Sequence, residues 1–297
     1  MGGRKQAATL GCGGVAEGGG GGAHQDREAA VARSMAELAC QHRRRRRELG
    51  RRARRLSLRG LDWHCFGSRM PDAVPWILAS GWVPDDPDAF CPRCGVSLLA
   101  YEDRRGGCGA CRGGPGVVGG VVRLGRYARP LSQWLPAIKR RAWRSMGEEM
   151  GRLLGERILE GVASGRLAQP EVIVPMPVHW LRRTLRGIDH AATIAAALSQ
   201  TAVIPLEHAL RAPLRWRQVG RSRAGRLANI ARFEARGELR LEGRRVLVVD
   251  DVLTTGSSVR EAASILRTMG AGEVVAAVCA VADPPGRQIR GNIVDKF

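Results

Sequence analysis

Two adjacent carboxylates followed by a loop of hydroxyl residues are the side chains of this sequence best suited to chemistry. Asp250 and Asp251 follow an apolar run at residues 246–249, and a helical pattern begins at Val259. The small residues between them leave backbone N–H groups at a helix N-terminus, where unpaired donors and the helix dipole favour a phosphate. The short loop separates the two acids from the hydroxyl residues by about the length of a ribose 5-phosphate. The spacing therefore predicts sugar hydroxyls at the acids and a phosphate at Thr254, Thr255, Gly256, Ser257 and Ser258.

The residues around this run predict an α/β domain with a parallel sheet. Residues 246–249 and 274–282 are continuous apolar runs, which is typical of parallel strands buried on both faces. Further strands are predicted at residues 172–177 and, as a short one, at 202–205. Ligands of open α/β sheets bind at the carboxyl ends of the strands, where the two acids lie. A simpler interpretation stays open, in which the acids only end a strand and the hydroxyls only cap a helix.

Four of the eight cysteines form two Cys-x2-Cys pairs, Cys91 with Cys94 and Cys108 with Cys111. Thirteen residues separate the pairs, so four thiolates can meet at one tetrahedral Zn²⁺ of the structural kind. A redox dithiol or an iron–sulfur cluster is the alternative. We expect a small zinc-ribbon-like module over residues 61–118, because metal binding would stabilise a segment with little apolar content. Residues 61–90, which hold Trp63, Trp76 and Trp82, are expected to pack against the part of the module that begins at Cys91.

The run that begins at Asp250 resembles the phosphoribosyl diphosphate (PRPP) signature of type I phosphoribosyltransferases. That signature is an apolar strand, two acids, three residues, then Thr-Gly and a hydroxyl residue, which here are Thr255, Gly256 and Ser258. The resemblance implies a type I phosphoribosyltransferase fold over residues 119–297. It also implies that Asp250 and Asp251 are catalytic residues that orient the ribose, with Mg²⁺ bridging the diphosphate and the ribose hydroxyls.

More narrowly, the chain is similar to ComF-like proteins, a competence-associated family that also carries an N-terminal four-cysteine zinc motif. Residues 127–131 followed by Lys139 resemble the family's connector, and residues 172–177 its Pro-Val-Pro strand end. The Arg-Gly element that follows implies a pyrophosphate loop, although an ordinary basic helix start is the alternative. Its candidate residues are Arg182, Arg183 and Arg186. This chain has Ile188-Asp189-His190 where the family has Phe-Asn-Gln, which brings a carboxylate close to the expected diphosphate.

A third element of the family lies between residues 214 and 233. Gln218, Arg226 and Asn229 match its spacing, and the resemblance implies a mobile lid over the active site. Such a lid would exclude water from an oxocarbenium-like centre. A basic surface helix is the alternative interpretation of the same residues.

The charge of the chain favours partners that carry phosphate. The formal net charge is +20, and residues 1–60 alone carry 14 Lys and Arg against five acids. This arm is expected to be disordered or partly helical, and to be either a solvated tail or a nucleic-acid-binding segment. No apolar run approaches the roughly 18 residues of a membrane span, and no secretory signal is evident, so a cytoplasmic location is expected.

Two functions follow from these patterns. The first is a Mg²⁺-dependent, phosphoribosyltransferase-like protein that binds PRPP or another ribose 5-phosphate ligand, with or without transfer of the phosphoribosyl group. The second, implied by the ComF resemblance, is a non-catalytic component of DNA uptake or recombination that binds single-stranded DNA or partner proteins of that process.

Overall fold

The computed structural model describes residues 72–102, 107–109, 111, 116–139, 143–178, 189–213, 233–237 and 239–287. The helices within these ranges are α1 (Ala73–Ser80), α2 (Leu131–Ile138), α3 (Arg144–Ala163), α4 (His190–Ala202) and α5 (Ser257–Thr268), and a short 3-10 helix covers Pro87–Ala89. The strands are β1 (Gly120–Arg126), β2 (Val172–Pro175), β3 (Leu210–Arg211), β4 (Glu234–Ala235), β5 (Arg245–Leu253) and β6 (Glu273–Val281).

Four parallel strands form the central sheet in the order β1-β6-β5-β2. β5 pairs with β6 from Arg245 opposite Glu273 to Leu253 opposite Val281. Nearly every residue of β6 is buried, which explains why its sequence is apolar throughout rather than alternating. β3 and β4 form a separate antiparallel pair. The predicted α/β class, a parallel sheet flanked by helices, is confirmed.

The two faces of the sheet are covered differently. On one face, α3 and α4 contribute Leu154 and Ile194 to a buried cluster that also contains Val249 of β5. On the other face, α5 covers the β5 side of the sheet. The described residues of the cysteine segment, which spans residues 91–111, cover the β1 side of that face and pack against Val121 and Val278. The cysteine segment is therefore part of the covering of the sheet.

The segment that follows β6 returns to the cysteine segment. The Asp283 carboxylate accepts hydrogen bonds from the Ser97 N–H at 2.8 Å and the Ser97 hydroxyl at 2.9 Å. Arg287 donates to the Ser97 carbonyl at 2.7 Å and forms an ion pair with Glu102. These contacts join residues about 190 positions apart in the sequence.

The described residues before Cys91 meet the cysteine segment at Ala89, whose carbonyl accepts a hydrogen bond from the Leu98 N–H at 2.9 Å, whereas the two described tryptophans pack elsewhere. Trp76 packs edge-on against Trp143, and Trp82 packs edge-on against Trp134, with ring centroids 6.2 and 5.6 Å apart. The reason is that α1 lies against α3, with Ala73 in the buried cluster of that face. Trp63 lies outside the described residues.

The prediction of a short strand at residues 202–205 was wrong. Ala202 is the last residue of α4, and Val203 adopts a left-handed conformation with φ of +56° that interrupts an extended chain. The Ser199 hydroxyl donates to the Ile204 carbonyl at 2.6 Å, which keeps this segment folded against the helix. A single bridge between Ile173 and Leu206 is the contact with β2 in this region.

The longest described helix, α3, has 20 residues, and none of the described helices combines the length and apolar character that crossing a bilayer requires. The predicted basic arm, residues 1–60, lies outside the described residues. The boundaries predicted at residues 60 and 118 stay predictions.

Candidate functional site

Asp250 and Asp251 lie near the carboxyl end of β5, in the middle of the sheet. Asp251 is buried, and its Oδ1 atom lies 3.6 Å from His190 Nε2. Its Oδ2 atom lies 2.9 Å from the Lys139 ammonium nitrogen. The backbone N–H of Asp251 donates to the Asp250 carboxylate at 2.8 Å. The site thus combines two acids with a lysine and a histidine from the ends of two helices.

The two adjacent carboxyl groups have opposite pKa shifts. Burial and the neighbouring Asp251 carboxylate raise the pKa of Asp250 to about 8. Burial alone would raise the pKa of Asp251, but the contacts with His190 and Lys139 outweigh it and hold that pKa well below its usual range. Near neutral pH, Asp251 is therefore ionised and Asp250 carries a proton when no ligand is bound.

Lys139 influences how this site can use a divalent cation. The ligand atoms of His190, Asp250 and Asp251 lie within 4.8 Å of one another, close enough to share an ion. The Lys139 ammonium group, 2.9 Å from Asp251, already forms an ion pair with that carboxylate. Mg²⁺ usually keeps several waters and binds substrate phosphates together with one or two carboxylates. Lys139 therefore reduces the negative charge that the two acids can offer to a divalent cation.

Residues 254–258, here called the phosphate loop, connect β5 to α5. Gly256 is the N-cap of α5, with φ of +72°, and it offers no side chain to the amides of the first turn. The first turn contains no acidic residue. Thr254 and Thr255 are exposed, and Ser257 and Ser258 are half-buried. This combination of helix amides, hydroxyls and a left-handed turn suits a phosphate.

Arg260 adds a positive charge to the edge of the phosphate loop. Its guanidinium donates to the Thr255 carbonyl at 2.9 Å, and its backbone N–H donates to the Gly256 carbonyl at 2.9 Å. The side chain is exposed, so it can approach an anion from solvent. Arg260 therefore holds the loop and increases its positive potential at the same time.

The four predicted metal ligands meet in one buried cluster. The Sγ atoms of Cys91, Cys94, Cys108 and Cys111 lie within 4.8 Å of one another, with Cys94 and Cys108 at 3.4 Å. Zn–S bonds of about 2.3 Å place the sulfurs of a tetrahedral site about 3.8 Å apart. A hydrogen bond from the Cys94 thiol, assisted by backbone N–H groups, lowers the pKa of Cys91 to about 4. The cluster can hold a zinc ion with all four positions filled by protein.

The backbone of the first Cys-x2-Cys pair forms a tight turn around the cluster. The Gly95 N–H donates to the Cys91 carbonyl, and the Cys91 N–H donates to the Val96 carbonyl, both at 2.8 Å. Gly95 has φ of +75°, and a Cβ atom there would lie 2.7 Å from Val121 Cγ1. Glycine is therefore required here both by conformation and by space.

Two groups of predicted site residues lie outside the described residues. They are the pyrophosphate-loop candidates Arg182, Arg183 and Arg186, and the lid candidates Gln218, Arg226 and Asn229. The first group belongs to the segment between β2 and α4. Both ends of that segment reach the site, because β2 is the neighbour of β5 and α4 begins at His190.

Asp189 has a structural role that its sequence position did not suggest. Its carboxylate accepts a hydrogen bond from the Ala192 N–H at 3.0 Å and so caps the N-terminus of α4. This cap holds the first residue of the helix, His190, next to Asp251. The Asp-His pair found where the family has Asn-Gln thus forms a helix cap and an acid contact.

Sequence reasoning missed Lys139, His190 and Arg260 as members of the site. The sequence marks Lys139 only as part of a family connector, and His190 only as a departure from the family pattern. Lys139 lies more than 100 positions before Asp251, so no local spacing connects them. Arg260 carried a local signal, since it follows the phosphate loop by two residues on a helix that begins at Ser257.

A cavity of about 500 Å³ lies at the opposite edge of the sheet. It is lined by the first residues of β1 and β6 and by the last turns of α3, including Gly120, Glu273 and Glu160. It contains none of the predicted site residues. The chemistry of this chain is therefore better sought at the carboxyl edge, where the acids and the phosphate loop lie.

Comparison with known proteins places these features in a family. The profile of the phosphoribosyl transferase domain matches residues 189–296, which include the acids and the phosphate loop. The structure also aligns with glutamine PRPP amidotransferase from B. subtilis at 25% identity, over 46% of this chain and 26% of that chain. The TM-score of that alignment, 0.31, is too low for it to support an inference.

This chain covers most of the length of two curated relatives. Competence protein F of Haemophilus influenzae is 30% identical over 189 residues, which are 62% of this chain and 81% of that protein. DNA utilization protein YhgH of Escherichia coli K12 is 30% identical over 235 residues, which are 74% of this chain and 96% of that protein. With its four-cysteine cluster and its phosphoribosyl transferase domain, this chain belongs to the ComF family.

Proposed function

We propose that this protein binds PRPP, or another ligand containing ribose 5-phosphate, together with Mg²⁺ at the carboxyl edge of the sheet. The observation that carries the proposal is the position of two carboxyl groups beside a helix N-terminus that no side chain of its N-cap closes. In the proposed complex, Asp250 and Asp251 accept hydrogen bonds from the ribose hydroxyls. The phosphate loop and Arg260 bind the 5-phosphate, and Lys139 keeps Asp251 ionised.

Mg²⁺ would neutralise the diphosphate of PRPP, and the residues of this chain would do the positioning. The buried Asp251 has little freedom to move because His190 and Lys139 contact its two oxygens. A fixed carboxylate next to a fixed phosphate site would hold the ribose in one orientation, which is the contribution that proximity makes to catalysis. Transfer to an acceptor would release pyrophosphate from C1, and Mg²⁺-dependent pyrophosphate release is the measurement of that step.

Calorimetric titration of the full chain with PRPP and Mg²⁺ tests the binding site. We expect the Asp250→Asn, Asp251→Asn double variant to bind at least about tenfold more weakly, a loss of about 1.4 kcal/mol. Asp88→Asn is a matched control, because Asp88 is an exposed acid at the opposite edge of the sheet. Circular dichroism establishes that each variant is folded. Absence of PRPP binding by the wild type, or equal binding by the double variant, would overturn the proposal.

A second candidate function is a role in DNA utilization or competence through binding of single-stranded DNA. Two observations favour it: the names of the relatives, and a net charge of +20 with a basic arm at residues 1–60. Phosphate contacts by Lys and Arg weaken steeply with salt. We expect the full chain to bind single-stranded DNA at low salt, and the chain without residues 1–60 to bind it more weakly. If neither form binds at low salt, direct DNA binding is excluded.

The two functions are compatible, and competition separates them. If DNA binds through the basic arm, PRPP will not displace it, and the double acid variant will bind DNA as the wild type does. If the nucleic acid occupies the phosphate loop instead, PRPP will compete. The cytoplasm is the proposed location of both activities, because a reducing compartment keeps the four cysteines available as metal ligands.

A further inference from the structure

Both ends of the phosphate loop are packed against the cysteine segment. Leu253 is the residue before the loop, and Val259 lies one residue after it. Both belong to the same buried cluster as the four cysteines, with exposed fractions of only 2% each. Val278 of β6 lies in the same cluster. The position of the loop therefore depends on the segment that the cysteines organise.

The middle of the loop lies directly on one side chain of the segment that follows the cysteines. A Cβ atom at Gly256 would lie 2.7 Å from Val117 Cγ1 and 3.1 Å from Val117 Cγ2. Val117 thus fills the space on that side of Gly256. Gly256 adopts the left-handed turn that begins α5, so the contact is made at the residue that directs the first amides of the helix.

Val117 is in turn connected to the first cysteine pair. Its N–H donates to the carbonyl of Arg93 at 3.2 Å, and Arg93 lies between Cys91 and Cys94. The next strand repeats this connection, because the Val121 N–H donates to the Pro92 carbonyl at 2.7 Å. A continuous path of contacts therefore runs from the residues between two metal ligands, through Val117, to Gly256.

We propose that the metal held by the four cysteines sets the geometry of the phosphate loop, and that Val117 is the positioning residue through which it does so. Metal binding orders a segment that has few apolar residues of its own, and the ordered segment then fixes Val117 against Gly256. The inference rests on the proposed function of residues 254–258 as a phosphate site. Because linkage is reciprocal, a ligand phosphate on the loop raises the affinity of the cysteines for metal by the same factor.

Ribose 5-phosphate is the probe for the first experiment, because its phosphate engages the loop without any diphosphate. We expect Val117→Ala in the zinc-loaded full chain to weaken ribose 5-phosphate binding by about fivefold to tenfold, within the range of measured couplings. Zinc content should stay at that of the wild type. Val117→Thr keeps both γ atoms at a half-buried position and should bind as the wild type does. Val83→Ala is the control, since Val83 is 69% exposed and is not part of the buried cluster that contains Leu253 and Val259.

Amide hydrogen exchange is the second readout and requires no ligand. We expect exchange across residues 253–259 to accelerate in zinc-loaded Val117→Ala, while exchange in β2, Val172–Pro175, stays unchanged. Partial removal of zinc by a chelator should accelerate the same peptides before it affects β2. A purely structural defect would raise exchange in both regions or lower zinc content.

The outcomes separate the phosphate site at residues 254–258 from the coupling of that loop to the cysteine segment. If zinc-loaded wild type does not bind ribose 5-phosphate but exchange of the loop responds to Val117→Ala, the phosphate assignment fails and the coupling of the loop to the cysteine segment stands. If the wild type binds, and neither affinity nor loop exchange responds to Val117→Ala, the coupling is wrong. The same conclusion follows if Val117→Thr loses binding as strongly as Val117→Ala, because the shape of the side chain is then irrelevant.

Discussion

At the scale of single residues, the site separates two chemically identical neighbours. Asp250 and Asp251 are adjacent in β5, yet only Asp251 has a lysine and a histidine at its oxygens. Two carboxylates this close cannot both ionise without cost, so the one beside the Lys139 ammonium group loses its proton and the other keeps it. Without a ligand, Asp250 therefore keeps one proton, which binding of a cation or of a network of sugar hydroxyls can displace.

Substitution of Asp250 by Asn tests this division through stability as a function of pH. The pKa of Asp250 is about 8 in the folded chain, whereas an unperturbed Asp titrates near pH 3.9. Between these values the unfolded chain has lost the proton and the folded chain has kept it, so rising pH favours unfolding. We expect Asp250→Asn to have a higher Tm than the wild type, by a margin that grows from about pH 4 to pH 8.

The measurement is thermal unfolding without ligand, followed by circular dichroism across that range of pH. Asp88→Asn, which removes an exposed acid, should give a difference from the wild type that does not grow in this way. Parallel curves for the wild type and Asp250→Asn would mean that Asp250 is ionised at neutral pH and would contradict the pKa shift.

At the scale of elements, a row of glycines brings α3 close to α4. A Cβ atom at Gly151 would lie 2.2 Å from the Ile194 carbonyl oxygen, and Gly147 and Gly155 face Thr193 and Thr201 in the same way. Backbone contact of this kind fixes where α4 lies along α3. Since α4 begins at His190, the glycines contribute to the position of a residue that contacts Asp251.

Gly151→Ala should therefore disturb both stability and the site. We expect a loss of about 3 kcal/mol in the free energy of unfolding, since an added methyl group must displace backbone. Urea unfolding measures this loss. Gly161→Ala is the matched control in the same helix and should be nearly neutral, because the new Cβ approaches a side chain and no backbone, with Leu167 Cβ at 3.3 Å and Cδ2 at 3.8 Å. Equal effects of the two substitutions would show that close approach is not the reason for Gly151.

The elements also show which parts of the structure could be predicted from the sequence. The strand, the phosphate loop and α5 are contiguous, so the pattern of residues 246–266 predicted them, and Cys-x2-Cys spacing predicted a cluster for the same reason. Lys139 and His190 reach Asp251 only because α2 and β5 end, and α4 begins, at one edge of the sheet. That proximity depends on strand order and on packing of α3 against α4, neither of which a single sequence displays.

At the scale of the whole molecule, Arg123 joins the cysteine segment to the sheet. Its guanidinium is 1% exposed and donates to the Gly95 carbonyl at 2.6 Å, the Asp85 carboxylate at 2.7 Å and the Ser97 hydroxyl at 2.9 Å. The same group stacks over the Phe90 ring at 4.9 Å. One buried cation on β1 thus forms hydrogen bonds with several groups of the cysteine segment and of the residues that precede it.

Arg123→Met should destabilise the chain strongly while leaving the four cysteines in place. Removal of one partner from a buried ion pair costs about 3–5 kcal/mol, because Asp85 is left uncompensated. Denaturant unfolding gives the loss, and zinc analysis gives the metal content. Arg144→Met is the control, since Arg144 pairs with Glu148 on an exposed helix surface and should cost less than about 1 kcal/mol. A similar loss for both variants would contradict the central position of Arg123.

The return of the chain from β6 to the cysteine segment has a consequence for biosynthesis. All four cysteines leave the ribosome within 21 consecutive residues, so they can capture a metal early by local contacts alone. The partners of Ser97 and Glu102, which are Asp283 and Arg287, are synthesised about 185 residues later. At a typical rate of roughly 5–20 residues per second, that delay lasts on the order of ten to forty seconds. Throughout this interval the cysteine segment has no complete sheet to cover, so its apolar side would be available to a chaperone.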